Sequence, residues 1–244
     1  MLKIKKMIIE NLPADIKNCL KLVYNNFKWK GSNRIFCISM QRSGTTSVGN
    51  FFSSFGYPVA TNSIAWKNKW SKYWYNGDYN SIFSSKEFNS YQVFEDDPWW
   101  LPEFYKVLYH KFPNSKFILL TRDSESWFNS MLSHSNGKTL GNTKLHCKIY
   151  RREKDFYSKM DSGSIINLTI DEIDNHLELD GYKEHYKDIY QIRNREIINF
   201  FKENDSSRLI HCDLQDQNKW NKIGKFFGIN VPDGFKMHSN KSQK

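Results

Sequence analysis

Residues 35–40 form an apolar, β-prone run long enough for one buried strand. One arginine and four small residues follow, and then Val48, Phe51, Phe52 and Phe55 recur at helical spacing. The pattern predicts strand, tight loop and helix, with Gly56-Tyr57-Pro58 stopping the helix. A short second strand is expected at 59–61 and a third at 91–94, running into Glu95-Asp96-Asp97-Pro98. Residues 101–112 read as a helix with Pro102 near its first turn, broken by Pro113-Asn114. Residues 116–121 carry a fully apolar centre, Phe117-Ile118-Leu119-Leu120, and lead into a helix through Trp127, Phe128, Met131 and Leu132. A long helix at 182–202, a last strand at 208–212 and a helix at 219–227 ending at Gly228 complete the series. Strands alternating with helices predict an α/β fold: three α/β/α layers around a central parallel sheet joined by crossovers.

Three stretches depart from this alternation. Residues 1–31 form a preamble in which Ile16, Cys19, Leu20, Leu22, Val23 and Phe27 suggest one amphipathic helix after Pro13. The expected role of that helix is packing on the domain, with contact to a membrane surface through Lys17, Lys21, Lys28 and Lys30 as the alternative. In residues 62–90, Trp66, Trp70, Tyr73 and Trp74 fall on one helical face. Such a face either packs on the sheet or offers an aromatic platform to an acceptor molecule. Residues 134–180 turn from basic to acidic and read as a helical insertion or a lid over a site.

The 244 residues fit one α/β domain, 1–244, that includes this insertion. Aromatic residues make up 16%, so much of the core is Phe, Tyr and Trp. The net charge of +10 favours anionic ligands, nucleic acid or an anionic membrane surface. It is spread along the chain, which argues against a nucleic-acid tail. The four cysteines, Cys19, Cys37, Cys147 and Cys212, have no metal or redox spacing, and Cys37 and Cys212 sit in strand-like runs. This composition predicts a reduced, cytoplasmic protein. No apolar run is long enough to span a bilayer, and the three-residue apolar stretch in residues 1–10 is too short for a signal peptide.

The loop Gln41-Arg42-Ser43-Gly44-Thr45-Thr46-Ser47 is the candidate for chemistry. A strand-to-helix turn directs backbone N–H groups and a helix N-terminus at one spot, which suits an anion. Arg42 adds a positive charge, and Ser43, Thr45, Thr46 and Ser47 add hydroxyls; as an ordinary turn, the loop would need only one of them for a cap. The nucleoside-triphosphate pattern of glycine, four residues and Gly-Lys-Ser/Thr is absent, as is Gly-x-Gly-x-x-Gly. The loop instead resembles the 5′-phosphosulfate loop of the sulfotransferases, which use 3′-phosphoadenosine 5′-phosphosulfate (PAPS) as sulfuryl donor.

A second motif strengthens the resemblance. Sulfotransferases end another strand with an arginine and carry a serine eight residues on, the pair binding the 3′-phosphate of PAPS. Here Arg122 ends 117–122 and Ser130 stands at that spacing. A strand-end arginine can clamp a phosphate bidentately; its bland alternative is an ion pair with Asp123 or Glu125. Asp96-Asp97-Pro98, then Phe112-Pro113-Asn114-Ser115-Lys116-Phe117-Ile118-Leu119-Leu120-Thr121-Arg122-Asp123-Ser124-Glu125-Ser126-Trp127, and 220–232 resemble one branch of the family. The similarity covers about 34–240, without 62–90 and 134–180.

The resemblance implies a P-loop NTPase-like sulfotransferase fold and sulfuryl transfer from PAPS to an acceptor hydroxyl or amine, with PAP as product and a glycan or glycolipid among the candidate acceptors. It implies that Arg42, Ser43, Gly44, Thr45, Thr46 and Ser47 hold the 5′-phosphosulfate, that Arg122 and Ser130 hold the 3′-phosphate, and that Arg42 and Asp96 are catalytic. No metal is expected. Asp96 stands where the family places its base, with Glu95 as the alternative; Glu95 and Asp97 are expected to raise its pKa by like charge. There are departures. Ser47 replaces the tryptophan that stacks on adenine, Asp96 replaces the usual histidine, and Phe94 stands where a lysine is usual. The C-terminal Arg-Lys-Gly clamp is not evident. Unlike membrane-anchored lumenal members, this chain has no spanning run. The rival readings are a divergent P-loop kinase, which predicts binding of ATP with Mg²⁺, and a basic nucleic-acid or membrane-surface binder, which predicts a steep salt dependence.

Overall fold

The computed structural model describes residues 33–237 and, before them, residues 13, 14, 16, 17, 19, 20, 23 and 24. Among the described residues five strands form, β1 (Ile35–Cys37), β2 (Val59–Ala60), β3 (Val93–Phe94), β4 (Lys116–Thr121) and β5 (Leu209–Asp213). They make one parallel sheet of order β2-β3-β1-β4-β5. Between β1 and β2 lies α1 (Thr45–Ser54). Four short helices separate β2 from β3: α2 (Asn62–Lys67), α3 (Trp70–Tyr75), α4 (Tyr79–Phe83) and α5 (Lys86–Ser90). Then come α6 (Phe104–Lys111) before β4, and α7 (Ser124–His134), α8 (Thr143–Ile149), α9 (Glu153–Asp161) and α10 (Lys183–Asn204) before β5. The last helix is α11 (Lys219–Phe227).

Side chains alternate across a strand, so each strand feeds two cores. Ile35, Cys37, Ile118 and Leu120 pack on Val48, Phe51 and Phe52 of α1 and on Trp220 and Ile223 of α11. Phe36, Phe117 and Leu119 face the other way, towards Phe104 and Leu108 of α6 and Tyr190, Ile197 and Phe201 of α10. The result is the expected three-layer α/β/α architecture. The helix after β1 and the helix after β3 lie on opposite faces, and β1 sits between β3 and β4. The side on which successive strands are added therefore switches at β1, which opens a crevice at the carboxyl ends of the strands.

Several boundaries differ from the sequence expectation. The 101–112 helix begins only at Phe104, because Glu103 takes a left-handed φ of 61° and Pro98 to Pro102 form turns. In 62–90 the single expected face is broken. Lys69, with φ 53°, rotates α3 relative to α2. Trp70 and Trp74 are buried, and Trp70 lies edge-on to Trp99 at 5.3 Å, whereas Trp66 is 83% exposed. Residues 134–180 have a small core of their own, made by Cys147, Phe156, Ile165, Ile173 and Leu177. Among the described residues of the preamble, Ile16, Leu20 and Val23 are exposed rather than packed on the domain; Leu22 and Phe27 lie outside the described residues. Cys37, Cys147 and Cys212 are buried, and these three and Cys19 are free. No helix among the described residues is long and apolar enough to cross a membrane.

Candidate active site

Residues 38–44 leave β1 and turn sharply into α1. Arg42 takes φ 65° and Gly44 φ 89°. The left-handed φ at Gly44 favours glycine, and a Cβ there would lie 2.6 Å from the end of the Leu214 side chain, Cδ1, which would have to move aside. Gly44 is the N-cap of α1 and no side chain caps the helix. Its first turn borders a cavity of about 820 Å³, together with Gln41, Arg42, Thr45, Thr46 and Ser47. A helix N-terminus carries partial positive charge, so this wall favours an anion. Ser43 behaves differently from the residues around it. It is fully buried, and its Oγ lies 3.3 Å from the Tyr190 hydroxyl, away from the cavity.

The second motif comes to the same place. Arg42 Nε donates to Ser130 Oγ at 3.3 Å, and Arg122 Nη1 donates to the Arg42 carbonyl at 3.3 Å. Trp127 Nε1 donates to the Gln41 carbonyl at 2.9 Å, and the Arg122 amide donates to Tyr190 Oη at 3.0 Å. Helix α7 is thereby tied to the loop across more than eighty residues of chain. Arg122 makes no ion pair with its neighbours: Asp123 caps α7 through the Ser126 amide, and Glu125 pairs with Lys183 and Lys187. Arg42, Arg122 and Ser130 all border the cavity. Burial and then the charge of Arg122 pull the Arg42 guanidinium below its ordinary pKa, while Asp96 pulls it up. Two cations held this close repel each other and favour an anion between them.

The three acids have three different settings. Asp96, at φ 64°, borders the cavity and feels the Arg42 charge. Its pKa is raised chiefly by burial rather than by like charge, and Trp100, Asp97 and Arg42 oppose the rise. Asp97 also borders the cavity, and burial and then Asp96 push its carboxyl up to about 7. Glu95 is 3% exposed and turns away, against Gly49 of α1, where a Cβ would lie 2.9 Å from Glu95 Cγ. Of the two carboxylates considered as base, only Asp96 reaches the cavity.

The sequence reading missed part of this wall. Asn62, His134 and the segment after β5, with Leu214, Gln215, Gln217 and Lys219, border the same cavity, as does Trp66, which the sequence reading had named only within a possible aromatic platform. Lys219 is almost fully buried, and burial pulls its pKa below the usual lysine value. The usable signal was topological, because loops after parallel strands meet at one edge of the sheet. A family model described as a sulfotransferase domain matches residues 34–244. No curated protein matches the chain.

Proposed function

The chain belongs to the sulfotransferase-domain family, and from that membership we propose that it transfers a sulfuryl group from PAPS to an acceptor hydroxyl or amine. The observation that carries this reading is the meeting of Arg42, Arg122 and Ser130 beside the N-terminus of α1. PAPS has two anionic ends, and two guanidiniums with a helix N-terminus match them. A cavity of about 820 Å³ is of the size that holds small-molecule ligands. In this reading the α1 N-terminus with Gly44, Thr45, Thr46 and Ser47 takes the 5′-phosphosulfate, and Arg122 and Ser130 take the 3′-phosphate. Ser43 supports the loop from below through Tyr190.

The acceptor oxygen forms a bond to sulfur as the bond from sulfur to the bridging phosphate oxygen breaks. The electron pair leaves with PAP, whose new charge Arg42 and the helix N-terminus stabilise. Asp96 takes the hydroxyl proton. The chain's contribution is mainly position and charge, as in phosphoryl transfer, and no protein-held metal is invoked. The same reading treats residues 1–244 as one catalytic unit working in the reducing cytoplasm, where its cysteines stay as thiols.

Asp96→Asn tests the mechanism. The amide keeps the shape and removes basicity, so turnover of PAPS should fall by about 10²–10⁴ with PAP affinity retained. Full turnover in Asp96→Asn would move the proton acceptor to another group.

A further inference from the structure

Three loops bring Arg42, Asp96 and Arg122 to the cavity, after β1, β3 and β4. One helix reaches behind all three. Tyr190 of α10 accepts a hydrogen bond from the Arg122 amide at 3.0 Å, and its hydroxyl lies 3.3 Å from Ser43 Oγ in the loop after β1. Three residues on, Arg193 Nη2 donates to the Trp100 carbonyl in the segment after β3. Positions three apart share a helix face, so a single face of α10 holds the loops that line the site.

Arg193 is 7% exposed, and no carboxylate comes within ion-pair distance of it among the described residues. Burial lowers its pKa to about 10, which leaves it charged at neutral pH. A buried cation without a carboxylate costs stability, and here its hydrogen bond goes to the Trp100 carbonyl. Trp100 is itself 1% exposed. The one polar group of its side chain is the indole N–H, a donor only. That group faces two carboxylates, and hydrogen bonding from Trp100 favours the ionised forms of both Asp96 and Asp97.

The other groups around Asp96 come from several elements. The Asp97 amide, Asn62 of α2 and the Arg42 charge also favour its carboxylate. Glu95 and the buried Cys37 thiol lie within range of its charge, and Asp97 has a further hydrogen bond from Ser71 of α3. The backbone alone is a poor hold for this acid. Asp96 sits at φ 64°, a region disfavoured for a residue with a Cβ, in a turn closed by the Trp99 amide on the Asp96 carbonyl at 3.2 Å. Such a conformation persists where surrounding contacts enforce it.

We propose that Trp100, anchored through Arg193, is a positioning residue for sulfuryl transfer: its indole N–H holds the Asp96 carboxylate at the cavity wall, on the side of Arg42. A general base must stand within hydrogen-bond reach of the proton it takes, so geometry comes before basicity. Trp100 touches neither substrate and acts through Asp96. The proposal rests on the sulfotransferase reading.

The test uses the full chain with its aspartate side-chain carboxyls labelled with ¹³C, the Asp96 and Asp97 signals being assigned by Asp96→Asn and Asp97→Asn. Trp100→Phe keeps an aromatic ring and removes the N–H. Both carboxyls should then titrate about one pH unit higher, the effect of losing one hydrogen bond to a charged group. PAPS turnover should fall about tenfold, its acid limb moving up with the titration, while the PAP-induced thermal shift is unchanged. Trp99→Phe is the control for lost ring volume, since Trp99 is as buried but packs among Phe36, Phe94 and Trp70; it should leave the titrations in place. Should Trp100→Phe fail to fold, Arg193→Met removes the anchor without burying a charge and should move the titrations the same way. Unmoved titrations overturn the proposal, as does an equal rise in Trp99→Phe or full PAPS turnover in Trp100→Phe. No PAP shift in the unaltered chain refutes the donor reading instead, and the titrations still decide whether Trp100 holds the acids.

Discussion

Glu95 is buried against Gly49, and burial and then the Asp96 charge raise its pKa from 4.5 to about 7. Its folded form holds a proton more tightly than its unfolded form does. Its contribution to stability is therefore full below pH 4.5, falls as pH rises from 4.5 to about 7, and is gone above that. The size of that loss is about 3 kcal/mol. Glu95→Gln removes the titration, so urea unfolding from pH 5 to 8 should show a flatter stability profile than the unaltered chain. Parallel profiles would contradict the assignment. At this scale the sequence was legible where a residue's chemistry and spacing agree: Arg42, Arg122 and Ser130, singled out by their motifs, lie together in the structure. It was not legible where orientation decides. Nothing in the composition says that Ser43 turns to Tyr190 or that Glu95 turns from the cavity while Asp96 enters it. Rotation within a turn at Arg42 and Asp96, both with positive φ, sets these directions.

Helices α7, α10 and α11 were readable because their apolar positions recur over two turns or more. Segment 62–90 was not, since positive φ at Lys69 and at Gly77 interrupts the period and leaves helices of five or six residues. The insertion was unreadable for another reason. Its core joins Cys147 and Phe156 to Ile165, Ile173 and Leu177 through loops, so no local period marks it. That separate core makes a prediction. Phe156→Ala should cost about 3–5 kcal/mol locally. Hydrogen exchange should then show protection lost in 143–177 and retained in β1 and β4. PAP affinity, which the proposed function assigns mainly to loops of the sheet, should stay within a few-fold, while acceptor turnover falls. Equal loss of protection in the sheet would show that the insertion and the sheet unfold as one unit.

At the scale of the molecule, the alternation of strand and helix patterns pointed to the parallel three-layer design, but not to the strand order. Short strands of two or three residues, as in β1, β2 and β3, carry too little pattern to declare their neighbours. The order matters, because it places β1 between β3 and β4 and gathers the loop after β1, the acids after β3, Arg122 after β4 and Leu214 after β5 on one cavity. The central claim is that this cavity reads a nucleotide bearing phosphate at both its 5′ and 3′ positions. The most direct test is the melting temperature of the unaltered chain with PAP and with adenosine 5′-phosphate at equal concentrations. At a hundred times its dissociation constant PAP should add about 2.7 kcal/mol, a rise of roughly 5–10 °C for a chain of this length. Adenosine 5′-phosphate, lacking the 3′-phosphate for Arg122 and Ser130, should give far less. Equal shifts from the two nucleotides, or a shift only from ATP with Mg²⁺, would contradict the account.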